Sequence, residues 1–127
     1  MIGADVTLDL VKVLVVDDYQ SIANGLCRQL RTRGHDARAV FSGGAALTEA
    51  ATFEPHVVLL DMVLPDMTGY EVAKQLRLRS TAPLYIAGMS SRSMVPDENF
   101  DEQTSKPFGL ARLAEILRAA SKRPRGP

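Results

Sequence analysis

The amino-acid sequence predicts an α/β fold: a doubly wound parallel sheet of five strands with helices on both faces. Short apolar runs rich in branched side chains alternate along the chain with amphipathic segments at helical spacing. This alternation is typical of buried parallel strands joined by helical crossovers. The length of 127 residues, with 46% hydrophobic and 24% charged side chains, is that of one ordinary globular domain.

The first half of the chain supplies three predicted strands and two predicted helices. The clearest strands are Lys12–Val16 and residues 57–60, and a weaker strand covers Asp36–Val40. A helix is predicted over residues 21–33, where Ile22, Leu26 and Leu30 share one face, and a shorter one over residues 44–51. These elements account for the first half of an alternating α/β pattern.

The second half continues the alternation. A helix is predicted over Gly69–Arg79, with Val72, Leu76 and the stem of Arg79 on one side, and a strand over residues 84–89. Residues 101–105 form a poor edge strand, and a final helix covers residues 109–120. We expect a single domain over residues 1–127, with its core at about residues 11–120 and a frayed basic tail from residue 121.

The connection between the fourth and fifth strands is irregular. Pro96 would break any helix begun near Arg92, so residues 90–100 are predicted to be a mobile loop with at most one helical turn. A full amphipathic helix would normally cover the sheet at this position. The apolar surface there must therefore be covered in another way, or left open for a partner.

Carboxylates follow two of the buried strands at the point where each strand ends. Asp17 and Asp18 come after the first strand, and Asp61 comes after the third. Parallel folds place their ligand sites at the carboxyl ends of the strands, so these three acids should meet at one edge. Crowded carboxylates repel one another, and magnesium is the natural compensating ion. The alternative is that they are solvated loop residues or helix caps.

Other strand ends add a cation and hydroxyl groups. Lys106 follows the fifth strand and precedes Pro107, and its point charge suits an oxygen of a phosphoryl group. Ser90 and Ser91 follow the fourth strand, where a hydroxyl could donate a hydrogen bond to such an oxygen. Taken alone, each of these residues is unremarkable. Together with the three acids they indicate one phosphate-handling pocket.

Three segments, at residues 13–18, 61–69 and 100–108, resemble the motifs of response-regulator receiver domains. They read VLVVDD, DMVLPDMTG and FDEQTSKPF, and the similarity runs from about residue 12 to residue 120. The resemblance implies a flavodoxin-like (βα)5 fold with strand order 2-1-3-4-5. It also implies a Lys106–Pro107 peptide bond that is often cis.

The resemblance assigns a role to each residue of the pocket. Asp61 would attack a phosphodonor and become an aspartyl phosphate, and Lys106 would pair with Asp61 and then with the phosphoryl group. Ser90 would be the switch hydroxyl, although a shift of one residue would place Met89 there. Magnesium, or manganese in its place, would be held by four groups: Asp17, Asp18, Asp61 and the backbone carbonyl of Met62.

The chain departs from the family's pattern on one face. The stretch between Ser90 and Lys106 is shorter than usual, and Gln103 stands where the family has an aromatic or histidine switch residue. Receivers signal through the face that contains both departures. The pocket is therefore complete by sequence, while the mode of output stays open.

The predicted function is that of a phosphoacceptor: the chain takes a phosphoryl group from a histidine kinase or phosphotransfer protein and switches the binding of an unknown output partner. It is predicted to be no enzyme beyond catalysing its own phosphorylation and dephosphorylation. One alternative is a receiver-like interaction module that never carries phosphate. Another is a magnesium-dependent phosphohydrolase, but such enzymes carry an aspartate where this chain has Val63.

Composition gives expectations about partners and location. Fifteen basic and fifteen acidic residues cancel, so direct nucleic-acid binding is not expected. No run suits a membrane span, the first ten residues do not resemble a signal peptide, and the single Cys27 suits a cytoplasmic protein as a buried, inert thiol. His35 and His56 are predicted to be surface or turn residues. The chain is expected to be a monomer or weak dimer, either stand-alone or cut from a longer protein.

Overall fold

The computed structural model describes residues 10–122, which form a five-stranded parallel sheet of order β2-β1-β3-β4-β5 and four helices. The predicted fold class and strand order are confirmed. The initial ten-residue segment, apart from Leu10, and the basic tail from residue 123 onward lie outside the described residues. The elements are β1 (Lys12–Val16), α1 (Gln20–Thr32), β2 (Asp36–Val40), α2 (Gly43–Phe53), β3 (Val57–Asp61), α3 (Gly69–Arg79), β4 (Tyr85–Ser90), β5 (Glu102–Ser105) and α4 (Leu110–Ser121).

Two apolar layers hold the helices against the sheet. In β1, Val13 and Val15 face the layer beneath α1 and α4, whereas Leu14 and Val16 face the layer beneath α2 and α3. Successive side chains of a strand point to opposite faces, so a strand covered on both sides must be apolar throughout. This explains why the central strands are continuous apolar runs and why their polar groups appear only where they end.

Helix α1 is rotated from the orientation that its larger apolar residues predict. Its buried residues are Ala23, Cys27 and Leu30, while Ile22 is 41% exposed. Small side chains let a helix approach a sheet closely, so the Ala–Cys stripe faces the sheet. Ile22, predicted to share one face with Leu26 and Leu30, therefore lies outside the buried face of the helix. Cys27 is buried as predicted, and burial raises the pKa of its thiol, which leaves it unreactive.

The bounds of β1, β2 and α3 match the prediction, and the ends of the other elements differ from it by one or two residues. Helix α2 is longer at both ends: the hydroxyl of Ser42 accepts the N–H of Ala45 at its start, and Glu54 ends it in the left-handed conformation at φ 52°. In α3 the buried residues include Val72 and Leu76, but Arg79 is exposed. Strand β3 reaches Asp61 itself, so the backbone of the predicted phosphoacceptor pairs with Met89 of β4.

Among the described residues, the connection between β4 and β5 contains no helix, as its sequence predicts. Two side chains hold its midpoint: the Tyr70 hydroxyl accepts the N–H of Val95 at 2.7 Å, and the amide of Gln103 donates to the carbonyl of Val95 at 2.9 Å. Phe100 is buried against the α2–α3 layer and packs edge-on to Tyr70, with ring centroids 6.0 Å apart. An irregular segment thus takes the place of a helix, and its Met94 and Phe100 pack on the apolar layer there. Within residues 10–122, the alternation has five strands and four helices.

The two histidines hold the amino end of β1 in place. The Nδ1 atom of His35 accepts the N–H of Val11 at 3.2 Å, and that of His56 accepts the N–H of Lys12 at 3.0 Å. Both residues precede strands, as predicted, but His35 is only 5% exposed, so its placement at the surface is wrong. A ring nitrogen completes the hydrogen bonding of a strand end that a shorter side chain would leave open.

Acid is expected to destabilise the fold through His35. Burial, reinforced by the charge of Arg33, lowers the pKa of this ring. Its neutral form therefore stabilises the fold at pH values above the unfolded pKa of about 6.5, and this stability is lost as the pH falls toward the lower folded value. The melting temperature measured from pH 7.5 to pH 5 should fall less steeply for His35→Asn than for the wild type. Parallel profiles would contradict this assignment.

Candidate phosphoryl-transfer and metal site

The predicted acid cluster forms at the carboxyl edge of the sheet. Strands β1 and β3 pair so that Val16 lies opposite Leu60, which places Asp17 beside Asp61. One carboxylate oxygen from each of Asp17, Asp18 and Asp61 lies within 4.8 Å of the other two. Asp17 and Asp61 are buried, whereas Asp18 is exposed. The three acids that the sequence singled out are therefore brought together.

Lys106 bridges the two buried acids. Its Nζ lies 2.6 Å from Oδ2 of Asp17 and 3.1 Å from Oδ2 of Asp61. Pairing of β4 with β5 places Ser105 opposite Ser90, and the backbone N–H of Lys106 donates to the carbonyl of Ser90 at 2.8 Å. The Lys106–Pro107 peptide bond is cis, as the resemblance implied. The pairing of β5 with β4 thus places the Lys106 ammonium in the pocket.

Burial and charge oppose each other at this site. Burial raises the pKa of Asp61 and outweighs the hydrogen bonds from Val63 and Lys106, which act in the other direction. For Lys106, burial alone would lower the pKa, but the hydrogen bonds and charges of Asp17 and Asp61 raise it overall. The ammonium form of Lys106 is therefore favoured. Its single positive charge does not neutralise the three carboxylates of the cluster.

Main-chain groups orient both buried carboxylates. The N–H of Tyr19 donates to Oδ1 of Asp17 at 2.9 Å, and the N–H of Val63 donates to Oδ1 of Asp61 at 3.0 Å. In each acid, one oxygen is held by the backbone and the other by Lys106. This fixes the direction of the carboxylates before any ligand arrives, which reduces the cost of ordering them later. Sequence reasoning gave no sign of these two N–H groups.

Ser90 lies at the end of β4 with its side chain turned toward the chain that follows. It is 3% exposed, and its Oγ accepts the N–H of Arg92 at 3.1 Å. The alternative switch residue, Met89, is packed in the layer beneath α1 and α4. Of the two, only Ser90 carries a hydroxyl at the edge that bears Asp61.

The loop after Asp61 approaches the site closely. The carbonyl of Met62, a predicted metal ligand, accepts the N–H of Gly69 at 2.9 Å, which leaves one lone pair for other use. A Cβ atom at Gly69 would lie 2.5 Å from the carbonyl oxygen of Asp61, so only glycine fits there. The three carboxylates are hard oxygen donors of the kind that magnesium takes, and their spacing fits such an ion.

A sheet of this order, with an acid cluster and a bridging lysine at its carboxyl edge, defines the receiver class of two-component signalling proteins. The chain belongs to the response regulator receiver domain family, because the model of that family matches residues 13–118. The match includes all the residues predicted for the pocket.

Named relatives agree with this assignment. The chain is 37% identical over 115 residues to the transcriptional regulatory protein KdpE of Mycobacterium tuberculosis, covering 87% of this chain and 51% of the relative. It is 35% identical over 120 residues to the sensory transduction protein RegX3 of Mycobacterium bovis, covering 90% and 52% respectively. The chain therefore spans about half the length of the curated relatives it matches.

Solved structures show the same fold. A CheY-like receiver domain from Methylobacillus flagellatus aligns with a TM-score of 0.78 at 30% identity, covering 88% of this chain and 99% of that domain. The response regulator TrrA of Thermotoga maritima, solved in complex with Mg(2+)-BeF, aligns with a TM-score of 0.77 at 26% identity, covering 86% and 97% respectively. In the described part of this chain, no helix combines the length and apolar character needed to cross a membrane.

Proposed function

We propose that this chain accepts a phosphoryl group on Asp61 from a histidine kinase or a histidine phosphotransfer protein, in a magnesium-dependent reaction, and thereby switches the binding of an output partner. The observation that carries the proposal is the geometry of Asp61. This buried carboxylate lies 3.1 Å from the Lys106 ammonium and beside two further acids whose oxygens can converge with its own. A phosphoryl group needs positioning and charge neutralisation, and this site offers both.

Each residue of the pocket would have its own role in phosphoryl transfer. An oxygen of Asp61 forms a bond to phosphorus, while the bond from phosphorus to the donor nitrogen or oxygen breaks and the donor keeps that electron pair. The N–H of Val63 holds the Asp61 carboxylate in line. Lys106 and the switch hydroxyl of Ser90 would bind phosphoryl oxygens, which become more negative in the transition state.

Magnesium would neutralise the charge that gathers among the carboxylates and the phosphoryl oxygens. Its ligands would be Asp17, Asp18, Asp61 and the carbonyl of Met62. Because that carbonyl already accepts the N–H of Gly69, the peptide oxygen of the exposed Val63 is the alternative from the same loop. Manganese also takes oxygen ligands and would serve in the same site.

A small phosphodonor tests the proposal. Incubation with magnesium and acetyl phosphate should give about one labile phosphoryl adduct per chain, as expected for a covalent intermediate on a single nucleophile. Continuous release of phosphate would instead indicate a phosphohydrolase. No adduct and no release would indicate an interaction module that does not use phosphate. Each of the last two outcomes would overturn the proposal.

The proposed partners follow from the family. The relatives named above are regulators, and a DNA-binding response regulator, MtrA, is 33% identical over 116 residues. We propose that the domain that carries the pocket contacts the phosphodonor protein and an output partner. Because its fifteen basic and fifteen acidic residues cancel, we propose that it does not bind nucleic acid directly. We further propose that residues 1–127 form one receiver domain that acts in the cytoplasm as a monomer or weak dimer.

Magnesium is expected to raise the melting temperature of the protein. An ion that binds only the folded state stabilises it by mass action, by about 2.7 kcal/mol at 100 times its Kd. Asp18→Ala should abolish this rise because it removes the exposed oxygen ligand, while Asp36→Ala, at the amino end of β2, should preserve it. If the melting temperature of Asp18→Ala rises with magnesium as in the wild type, the ion binds elsewhere.

The segment between β4 and β5 is expected to respond to a phosphoryl mimic. In the free protein, the N–H of Arg92 is held by the Ser90 hydroxyl, so recruitment of Ser90 by a phosphoryl oxygen would release it. Hydrogen exchange over residues 91–99 should be fast in the free protein, except at Arg92, Val95 and Asn99, whose N–H groups donate to side chains. The other amides of the segment should exchange more slowly with magnesium and fluoroberyllate as the segment docks. Uniformly strong protection before the mimic is added would rule out this ordering step.

A further inference from the structure

Asp66, in the loop that follows the phosphoacceptor, is bound to the first turn of α2. Its Oδ1 accepts the N–H of Gly43 and its Oδ2 accepts the N–H of Gly44, each at 2.8 Å. These hydrogen bonds lower the pKa of the Asp66 carboxyl, so the carboxylate form is favoured. A pair of charge-assisted hydrogen bonds thus ties the loop to a helix start that lies 22 or 23 residues away along the chain.

The start of α2 is shaped to receive this loop. A Cβ atom at Gly43 would lie 2.4 Å from Cγ of Met67 and 2.9 Å from Cγ2 of Val72, and one at Gly44 would lie 3.3 Å from Oδ2 of Asp66. Two consecutive glycines weaken a helix, so their presence in the first turn calls for a reason. Close approach of the loop supplies that reason.

The N-cap residue of α2 is Ser42, not Asp66. The hydroxyl of Ser42 already accepts the N–H of Ala45 in the ordinary capping position. Asp66 binds the two N–H groups before it, from outside the helix. The additional consequence of this contact falls on the loop.

The loop in turn sets the geometry of the site. The Val63 N–H donates to Oδ1 of Asp61, and Val63 pairs with Thr68 in an antiparallel bridge. The N–H of Gly69 donates to the carbonyl of Met62 across the same turn. Residues 62–69 therefore form a closed turn whose base orients Asp61 and whose far side carries Asp66.

We propose that Asp66 is a positioning residue for phosphoryl transfer: by fixing the turn to α2, it holds the Val63 N–H and the neighbouring peptide oxygens where Asp61 and its metal ion need them. This inference rests on the proposed function and adds a residue to it that touches neither the ion nor the phosphoryl group. It predicts that metal affinity depends on Asp66 even though the side chain is not a ligand.

Asp66→Ala and Ser42→Ala form a matched pair of variants. Asp66→Ala removes two acceptors from the start of α2 and Ser42→Ala removes one, but only Asp66→Ala also releases the turn. Asp66→Ala should weaken magnesium binding, measured by calorimetry, by about 10-fold and slow phosphorylation by acetyl phosphate to a similar extent, as loss of an outer-shell contact does. Ser42→Ala should stay within about twofold of the wild type, because its loss is confined to helix capping.

A metal-free measurement separates positioning from general loosening. The amide of Val63 should exchange faster with solvent in Asp66→Ala than in Ser42→Ala. The two exchange rates are compared under conditions where both variants have the same free energy of unfolding. Asp66→Asn retains one carbonyl acceptor and should fall between wild type and Asp66→Ala in both assays. It also serves as the test if the alanine variant does not fold.

Two outcomes would overturn the proposal. In the first, Asp66→Ala (or Asp66→Asn, if the alanine variant does not fold) binds magnesium as tightly as Ser42→Ala does. In the second, the Val63 amide exchanges no faster in that variant than in Ser42→Ala. Failure of the proposed function would look different. The wild type itself would then take up no phosphoryl group, while the calorimetric and exchange measurements would still decide the role of Asp66.

Discussion

Asp61→Asn is expected to abolish phosphorylation completely while leaving the fold intact. The amide has nearly the same shape as the carboxylate but is not a nucleophile, so no acyl phosphate can form. Labelling with acetyl phosphate and magnesium, read by intact mass, should fall from about one phosphoryl group per chain to none. Asp36→Asn, which removes an equal charge at the other edge of the sheet, should label like the wild type.

The same substitution is expected to stabilise the metal-free protein. Because burial raises the pKa of Asp61, the ionised carboxylate opposes folding at neutral pH, and the neutral amide removes that cost. A gain of about 1 kcal/mol would raise the melting temperature by about 4 °C in a domain of this size. In the labelling experiment, a stoichiometric phosphoryl adduct of Asp61→Asn at another residue would overturn the assignment of Asp61 as the phosphoacceptor.

Lys106→Met is expected to cause the largest loss of stability in the pocket. Its ammonium is the shared partner of Asp17, which is fully buried, and of Asp61. Removing one partner of a buried ion pair costs about 3 kcal/mol or more, because the remaining charges are left uncompensated. Urea unfolding at pH 7 without metal should reveal this loss directly.

The pH and metal dependence of Lys106→Met distinguish charge from packing. Without the ammonium, the pKa of Asp61 should rise further, and an acid whose folded pKa lies above its unfolded value regains stability as the pH falls. The deficit should therefore shrink at pH 5, and also when magnesium is added at pH 7. Arg112→Met, which breaks the more exposed pair with Glu102, should cost about 1 kcal/mol or less. A deficit in Lys106→Met that is independent of pH would mean that the lost packing, and not the charge, is responsible.

The sequence by itself determined the fold class, because buried strands leave continuous apolar runs and helices leave a period of 3.6 residues. It also located Asp17, Asp61 and Lys106, since polar groups of a doubly covered sheet can stand only where strands end. The same local signals set element boundaries to within one or two residues. The irregular composition around Pro96 predicted that no full helix forms between β4 and β5.

Only the tertiary structure decided which of these groups touch and how. Lys106 reaches Asp17 across 89 residues, and Asp66 reaches the start of α2 across 22 or 23. The inward face of α1 and the buried role of His35 likewise depend on how closely neighbouring elements approach. Such contacts are fixed by strand register and by packing distances between distant parts of the chain, and a local pattern of residues carries no record of either.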